Sequence, residues 1–228
     1  MVTEKPPIIY ARVAGLTYII VILLGIFGVS IIESSLIVPG NDAETYRNIS
    51  GNEILFRISV ASEILMYLLV ILLSLSLFVV LRTVDKNLAL LALLLRIAEA
   101  ITGVATTVLS GLMPILLINT EKVFSPEQVQ TLLRLFLDVR GAGLDIVLIF
   151  IGVGGTMFCY LFFKSNYVPK FLAGWGIFTY MTMLLLAFTS ILSPNVPETV
   201  RMVFYVPGGL FELIFGFWLL FKGINVNQ

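Results

Sequence analysis

Polar residues along this chain fall in short clusters, and between them run apolar stretches of about 18 residues or more. That length crosses a hydrocarbon core as a helix. Neither Ile64–Leu81 nor Leu144–Phe163 alternates apolar with polar positions, so the pattern does not read as transmembrane strands. The stretches predict helices over Ile9–Ser34, Glu53–Leu81, Leu88–Ile118, Gly141–Phe163, Phe171–Leu192 and Val200–Phe221. The expected fold class is all-α, a polytopic membrane helix bundle of about six transmembrane helices. Nothing in the pattern marks a second domain, so residues 1–228 are expected to form a single integral membrane domain. The first apolar segment is longer than a signal-peptide core, and no small-residue cleavage site follows it. It reads as a retained first helix.

Two connectors are longer than the rest: Ser35–Asn52 and the stretch before the fourth span. The second carries its own helix start. Ser125 suits an N-cap, Pro126 the first helical position, and Gln128 completes a capping box. A helix running unbroken from there to Phe163 would be about 57 Å long, more than the bilayer needs. The run Arg140-Gly141-Ala142-Gly143 is where a break is expected, giving an amphipathic helix and then the span. One extended helix is the alternative.

Composition agrees with the membrane reading. The chain is 59% apolar and 12% charged, against about half and a quarter in soluble domains. Formal charge is zero, with no basic stripe for nucleic acid. Histidine is absent, which excludes a histidine base, a histidine-ligated haem and a histidine-bound zinc. Cys159 is the only cysteine, so no intrachain disulfide forms. Any metal would sit mainly among oxygen ligands, and no cofactor is expected. The lysines fall in connectors or at chain ends, which disfavours a retinal Schiff base.

Loop charge predicts orientation. One side holds Lys5, Arg12, Arg82, Lys86, Lys164, Lys170 and Lys222; the other holds Arg47, Lys122, Arg134 and Arg201. The side richer in Lys and Arg is normally cytoplasmic. Both termini are therefore expected on the cytoplasmic side of the cell membrane.

Several short runs together resemble a known family. They are Ala11-Arg12-Val13-Ala14-Gly15-Leu16-Thr17-Tyr18, the Ser34–Pro39 connector, Leu55-Phe56-Arg57, and Asn87-Leu88-Ala89-Leu90-Leu91 leading to Arg96. Lys164-Ser165-Asn166-Tyr167-Val168-Pro169 and Phe217-Trp218-Leu219-Leu220-Phe221-Lys222-Gly223 complete the order. In that order they resemble the prokaryotic membrane family known as domain of unknown function 4386. The resemblance implies a multi-span membrane protein and carries over no activity and no functional residue.

Ionisable residues within spans are costly and usually face the bundle interior or a wet cavity. The candidates, within the spans or beside them, are Glu33, Arg57, Glu63, Arg96, Glu99, Asp138, Arg140, Asp145 and Glu212. Glu33, Asp138 and Arg140 read as interfacial, free to snorkel to water. Arg57 also lies near a span end. Glu63, Arg96 and Glu99 form the deepest group by helical rise. Arg96 and Glu99, three residues apart, share a face and can pair. Ser59, Glu63 and Tyr67 make a polar stripe, and Gly208, Gly209, Glu212 and Gly216 share a face. The candidate ligand or proton site is therefore Arg57, Glu63, Arg96, Glu99, Asp145 and Glu212. Four acids face two arginines in that set, so at least one acid should hold a proton or a cation if all are buried. Each residue also has a plain structural use, as an intrahelical ion pair or a packing face.

Three functions compete. The first is a polar cavity that binds or transports a small molecule or lipid, linked to a proton or cation. The second is an accessory or structural subunit of a membrane complex, partnered by another membrane protein. The third is an intramembrane enzyme acting on lipid, disfavoured because no nucleophile motif, Ser–His arrangement or metal cluster is evident.

Overall fold

The computed structural model describes residues 8–119, 123–193 and 196–225. Lys5 and Lys122, used in the loop-charge argument, lie outside the described residues. The ordered elements are α-helical or π-helical, with no strand among the described residues. Six helices are long and apolar enough to cross a membrane. They are α1 (Ile8–Leu36), α3 (Glu53–Leu81), α4 (Lys86–Ile118), α5 (Pro126–Ser165), α6 (Lys170–Leu192) and α7 (Glu198–Phe221). The short α2 (Asp42–Gly51) fills the first long connector. Five of the six predicted spans coincide with these within a few residues, the fourth differing at its start, and the chain is a multi-pass membrane protein of six apolar helices.

Local chemistry explains the ends. Asn41 caps α2: its Oδ1 accepts from the Glu44 N–H at 3.1 Å, and its Nδ2 donates to the Glu44 carboxylate at 2.8 Å. The spacing Asn-x-x-Glu was legible, although the sequence reading left this segment as a connector. Ser125 and Gln128 form the expected box. The Ser125 N–H donates to Gln128 Oε1 at 2.9 Å, and the Gln128 N–H to Ser125 Oγ at 3.3 Å.

The expected break at residues 140–143 is not there. Helix α5 is continuous over 40 residues, about 60 Å at helical rise. Glycine lowers helix propensity but leaves the backbone ladder intact, so Gly141 and Gly143 do not interrupt it. The extended-helix alternative is the one observed.

Two spans change winding partway. Helix α4 is π-wound from Val108 to Leu112. Pro114 follows two residues later and supplies no N–H to the i→i−4 ladder. The Met113 N–H donates to the Val108 carbonyl five residues back. Helix α1 is π-wound from Ile26 to Glu33. Beyond it, the Ser34 N–H reaches Val29 O, while the Ser34 hydroxyl takes the Ser30 carbonyl at 2.6 Å. A serine hydroxyl thus occupies the acceptor that an α-helical N–H would use.

Contacts divide the chain into two compact units. Among the described residues, the first comprises those up to Ile22, Leu68–Ala100 and those from Asp145 on; the second comprises those of Leu23–Tyr67 and Ile101–Leu144. The first unit is centred on aromatic rings. Phe215 meets Tyr18 and Phe162 edge-on and stacks on Phe211, which meets Trp175 and Tyr180. Gly15 lets α1 approach α7 closely: a Cβ there would overlap the backbone of Gly216 and Leu220. The second unit packs Ile32, Leu36, Ile49, Phe56, Val60, Ile115 and Leu133 together. Gly143 of α5 lies against Thr106 of α4, with no room for a Cβ. Small residues at such crossings allow the dispersion contacts and close approach that hold helices together in lipid.

Candidate functional site

In the second unit, one arginine is shared by two carboxylates. Glu33 ends the π-wound stretch of α1, while Ser59 and Glu63 stand four apart on one face of α3. Thr107 immediately precedes the π-wound turn of α4, and Arg140 comes from α5. Arg140 Nη1 donates to Glu33 Oε2, and Nη2 donates to Glu63 Oε2 at 2.5 Å. The Thr107 hydroxyl lies 3.0 Å from the same Glu63 oxygen, and the Ser59 hydroxyl lies 3.3 Å from Glu33 Oε1. Side-chain exposure is 5% for Glu33, 8% for Glu63 and 20% for Arg140. Among the described residues, Arg140 Nε has no hydrogen-bond partner. The guanidinium therefore holds two carboxyl groups on different helices and keeps one donor unused.

The first unit has a second polar group. Arg96 pairs with Glu99 at 2.6 Å, and both side chains are buried. The Arg96 stem passes over Gly154, where an added Cβ would meet it at 3.2 Å. The Tyr180 hydroxyl donates to Glu212 Oε1 at 2.7 Å and lies 3.3 Å from the Tyr18 hydroxyl. Glu212 lies within electrostatic reach of Arg96 and Glu99. Asp145 pairs with Arg201 at 3.0 Å, and Tyr205 also bonds Arg201.

The six residues named from sequence are thus distributed. Glu63 belongs to the second unit; Arg96, Glu99, Asp145 and Glu212 belong to the first. Arg57 stands apart from both groups: its side chain is 50% exposed and pairs with Glu53 one helical turn away. Asp138 is exposed beside Arg134 at 3.7 Å, as an interfacial acid would be. Glu33 and Arg140 differ from the sequence reading, which had them snorkelling to water. Their burial and mutual pairing make them the centre of the Glu63 site. Arg201 was read only as a loop charge, and its partnership with Asp145 had no sequence signal. Among the described residues, five carboxylates withdrawn from solvent within the spans (Glu33, Glu63, Glu99, Asp145, Glu212) are accompanied by three arginines (Arg96, Arg140, Arg201).

Among the described residues, no group of three or more Cys, Asp or Glu side chains is arranged to hold a metal. The chain belongs to the family described as a domain of unknown function (DUF4386), whose model matches residues 13–223. No curated protein and no solved structure matches.

Proposed function

We propose, with membership of this family as the premise, that the protein binds a small anionic molecule or lipid in its polar interior. Binding or passage of that ligand is linked to a proton, and Glu33, Arg140 and Glu63 form the exchanging group. One observation carries the reading: a single guanidinium stands between two buried carboxylates. An uncompensated carboxylate is strongly disfavoured away from water, so one of the pair holds a proton while Arg140 balances the other. An anionic ligand that recruits Arg140, using the unused Nε donor, leaves the remaining ionised carboxylate to take up a proton. Ligand and proton then enter together.

Two further features support the reading. Both π-wound stretches adjoin this group, one ending at Glu33 and one starting after Thr107, and such windings recur at functional sites. Ionisable groups inside spans also mark ligand and proton pathways more often than they serve stability. We assign the protein to the cell membrane with both termini cytoplasmic, on the excess of Lys and Arg in the connectors of that side.

The test needs no known ligand. Infrared spectra of the reconstituted protein at neutral pH should contain a protonated-carboxyl band. The component of that band due to this pair should disappear in Glu33→Gln or Glu63→Gln and persist in Arg57→Gln. A band unaffected by either glutamate substitution, or no band at all, defeats the proposal. Liposomes with an internal pH dye, challenged with a panel of organic anions, then report the coupled solute.

A further inference from the structure

We infer that a cleft at one end of the first unit binds the phosphate of an anionic phospholipid headgroup. The cleft, about 550 Å³, lies between the start of α6 and the residues after α7. Lys170 and Lys222 stand on its two rims, with Trp218 and Asn166 on the walls, and no carboxylate lines it among the described residues. The Lys170 ammonium is 5.6 Å from the centre of the Phe163 ring, a weak partner, and no salt bridge to it is formed among the described residues.

The rims are held in place. Asn166 takes a left-handed backbone, φ 55°, which asparagine tolerates, and Gly223 takes φ 68°. Gly223 ends α7 by donating to the carbonyls of Trp218 and Leu219. The Asn225 N–H then donates to the Tyr167 carbonyl at 2.9 Å, which ties one rim to the other, while Ile224 is buried beneath. Two lysines therefore line one cleft without the protein moving to form it.

The surroundings favour a lipid over free phosphate. Each lysine is the chain neighbour of an exposed phenylalanine: Phe171 is 79% and Phe221 70% exposed. Both helices are apolar spans. Charge at the end of a span with bare rings beside it matches a headgroup whose acyl chains continue along the helices. Half-buried Trp218 is the aromatic expected at that depth. Two lysines beside an anionic headgroup give an enrichment over zwitterionic lipid of about 30-fold.

Trp175→Phe leaves Trp218 as the only tryptophan. That protein, in phosphatidylcholine bilayers, is titrated with phosphatidylglycerol or phosphatidylcholine carrying brominated chains, which quench nearby indoles. Quenching by the anionic lipid should exceed that by the zwitterionic one, and the excess should vanish in Lys170→Gln/Lys222→Gln. Equal quenching by both lipids overturns the inference, as does an excess that survives the double substitution. Displacement of the brominated lipid by inorganic phosphate assigns the cleft to a free anion and also overturns it. Lipid retained by the unmodified chain and by its double lysine variant in detergent, measured by mass spectrometry, gives the same comparison without Trp175→Phe.

Discussion

A double-mutant cycle on Glu33 and Glu63 tests the charge balance directly. If Arg140 neutralises one carboxylate and the other carries a proton, glutamine at either position leaves one complete ion pair. Glutamine keeps the size and one acceptor oxygen, so the Ser59 or Thr107 contact can persist. Each single substitution should then destabilise by about 1 kcal/mol, the scale of one hydrogen bond. Glu33→Gln/Glu63→Gln instead leaves Arg140 with no anion. Removing the partner of a buried charge costs about 3–5 kcal/mol, and the 20% exposure of Arg140 argues for about 3. The double variant should thus exceed the sum of the singles by about 1 kcal/mol or more, a coupling typical of groups sharing one network. Arg140→Gln should be milder than the double variant, because both orphaned carboxylates can protonate and arginine cannot lose its charge. The measurement is reversible unfolding in mixed detergent micelles, followed by circular dichroism. Singles whose costs sum to that of the double would mean that each carboxylate carries its own full charge, and the shared-proton argument would fail.

Neighbouring glycines of α5 should respond oppositely. Gly143→Ala forces a Cβ into Thr106 and should destabilise by about 1–3 kcal/mol, with partial recovery in Gly143→Ala/Thr106→Ala; Gly141→Ala, with nothing within 4 Å, should be neutral or stabilising by up to about 1 kcal/mol. The same micelle unfolding ranks them. Tyr180→Phe removes the hydroxyl that joins Tyr18 to Glu212 and should lower stability by about 1–3 kcal/mol, while the protonated-carboxyl band from Glu33 and Glu63 stays unchanged in the infrared. Green fluorescent protein fused after the last residue should fluoresce and alkaline phosphatase fused there should be inactive; the reverse pattern would invert the proposed topology.

The sequence carried the spans because hydropathy over about 20 residues is a local property that lipid enforces directly. It carried the Ser125 box and the Arg96–Glu99 pair for a similar reason: both lie within one helical turn. The expected break in α5 failed because glycine in a membrane helix signals close packing as often as interruption. Gly143 is there for Thr106, a contact made 37 residues away in sequence. The π-wound stretches were unread as well. Pro114 was a usable warning for one, whereas Ser34 capturing the Ser30 carbonyl has no distinctive sequence signature.

The surplus of acid was legible, and its location was not. The two quantities depend on different levels of structure. The surplus follows from which residue types lie within spans, so it came out the same although Arg57 dropped from the buried set and Glu33, Arg140 and Arg201 joined it. Location depends on which way each side chain points and on which helix lies opposite. Glu33 closes an eight-residue π-wound stretch, and every residue in such a winding is rotated away from its place on a 3.6-residue wheel. Arg140 looked terminal only because its helix was expected to begin beside it. Once α5 runs on from Pro126, Arg140 is an internal residue with α1 and α3 within reach of its side chain. The polar group therefore forms from one altered winding and one uninterrupted helix, neither of which leaves a periodic trace. Substitutions that restore α-helical winding upstream of Ser34 should uncouple Glu33 from Arg140 without touching either residue. Ser34→Ala is the direct trial, and an unchanged infrared band in that variant would mean the π-winding is held by packing instead.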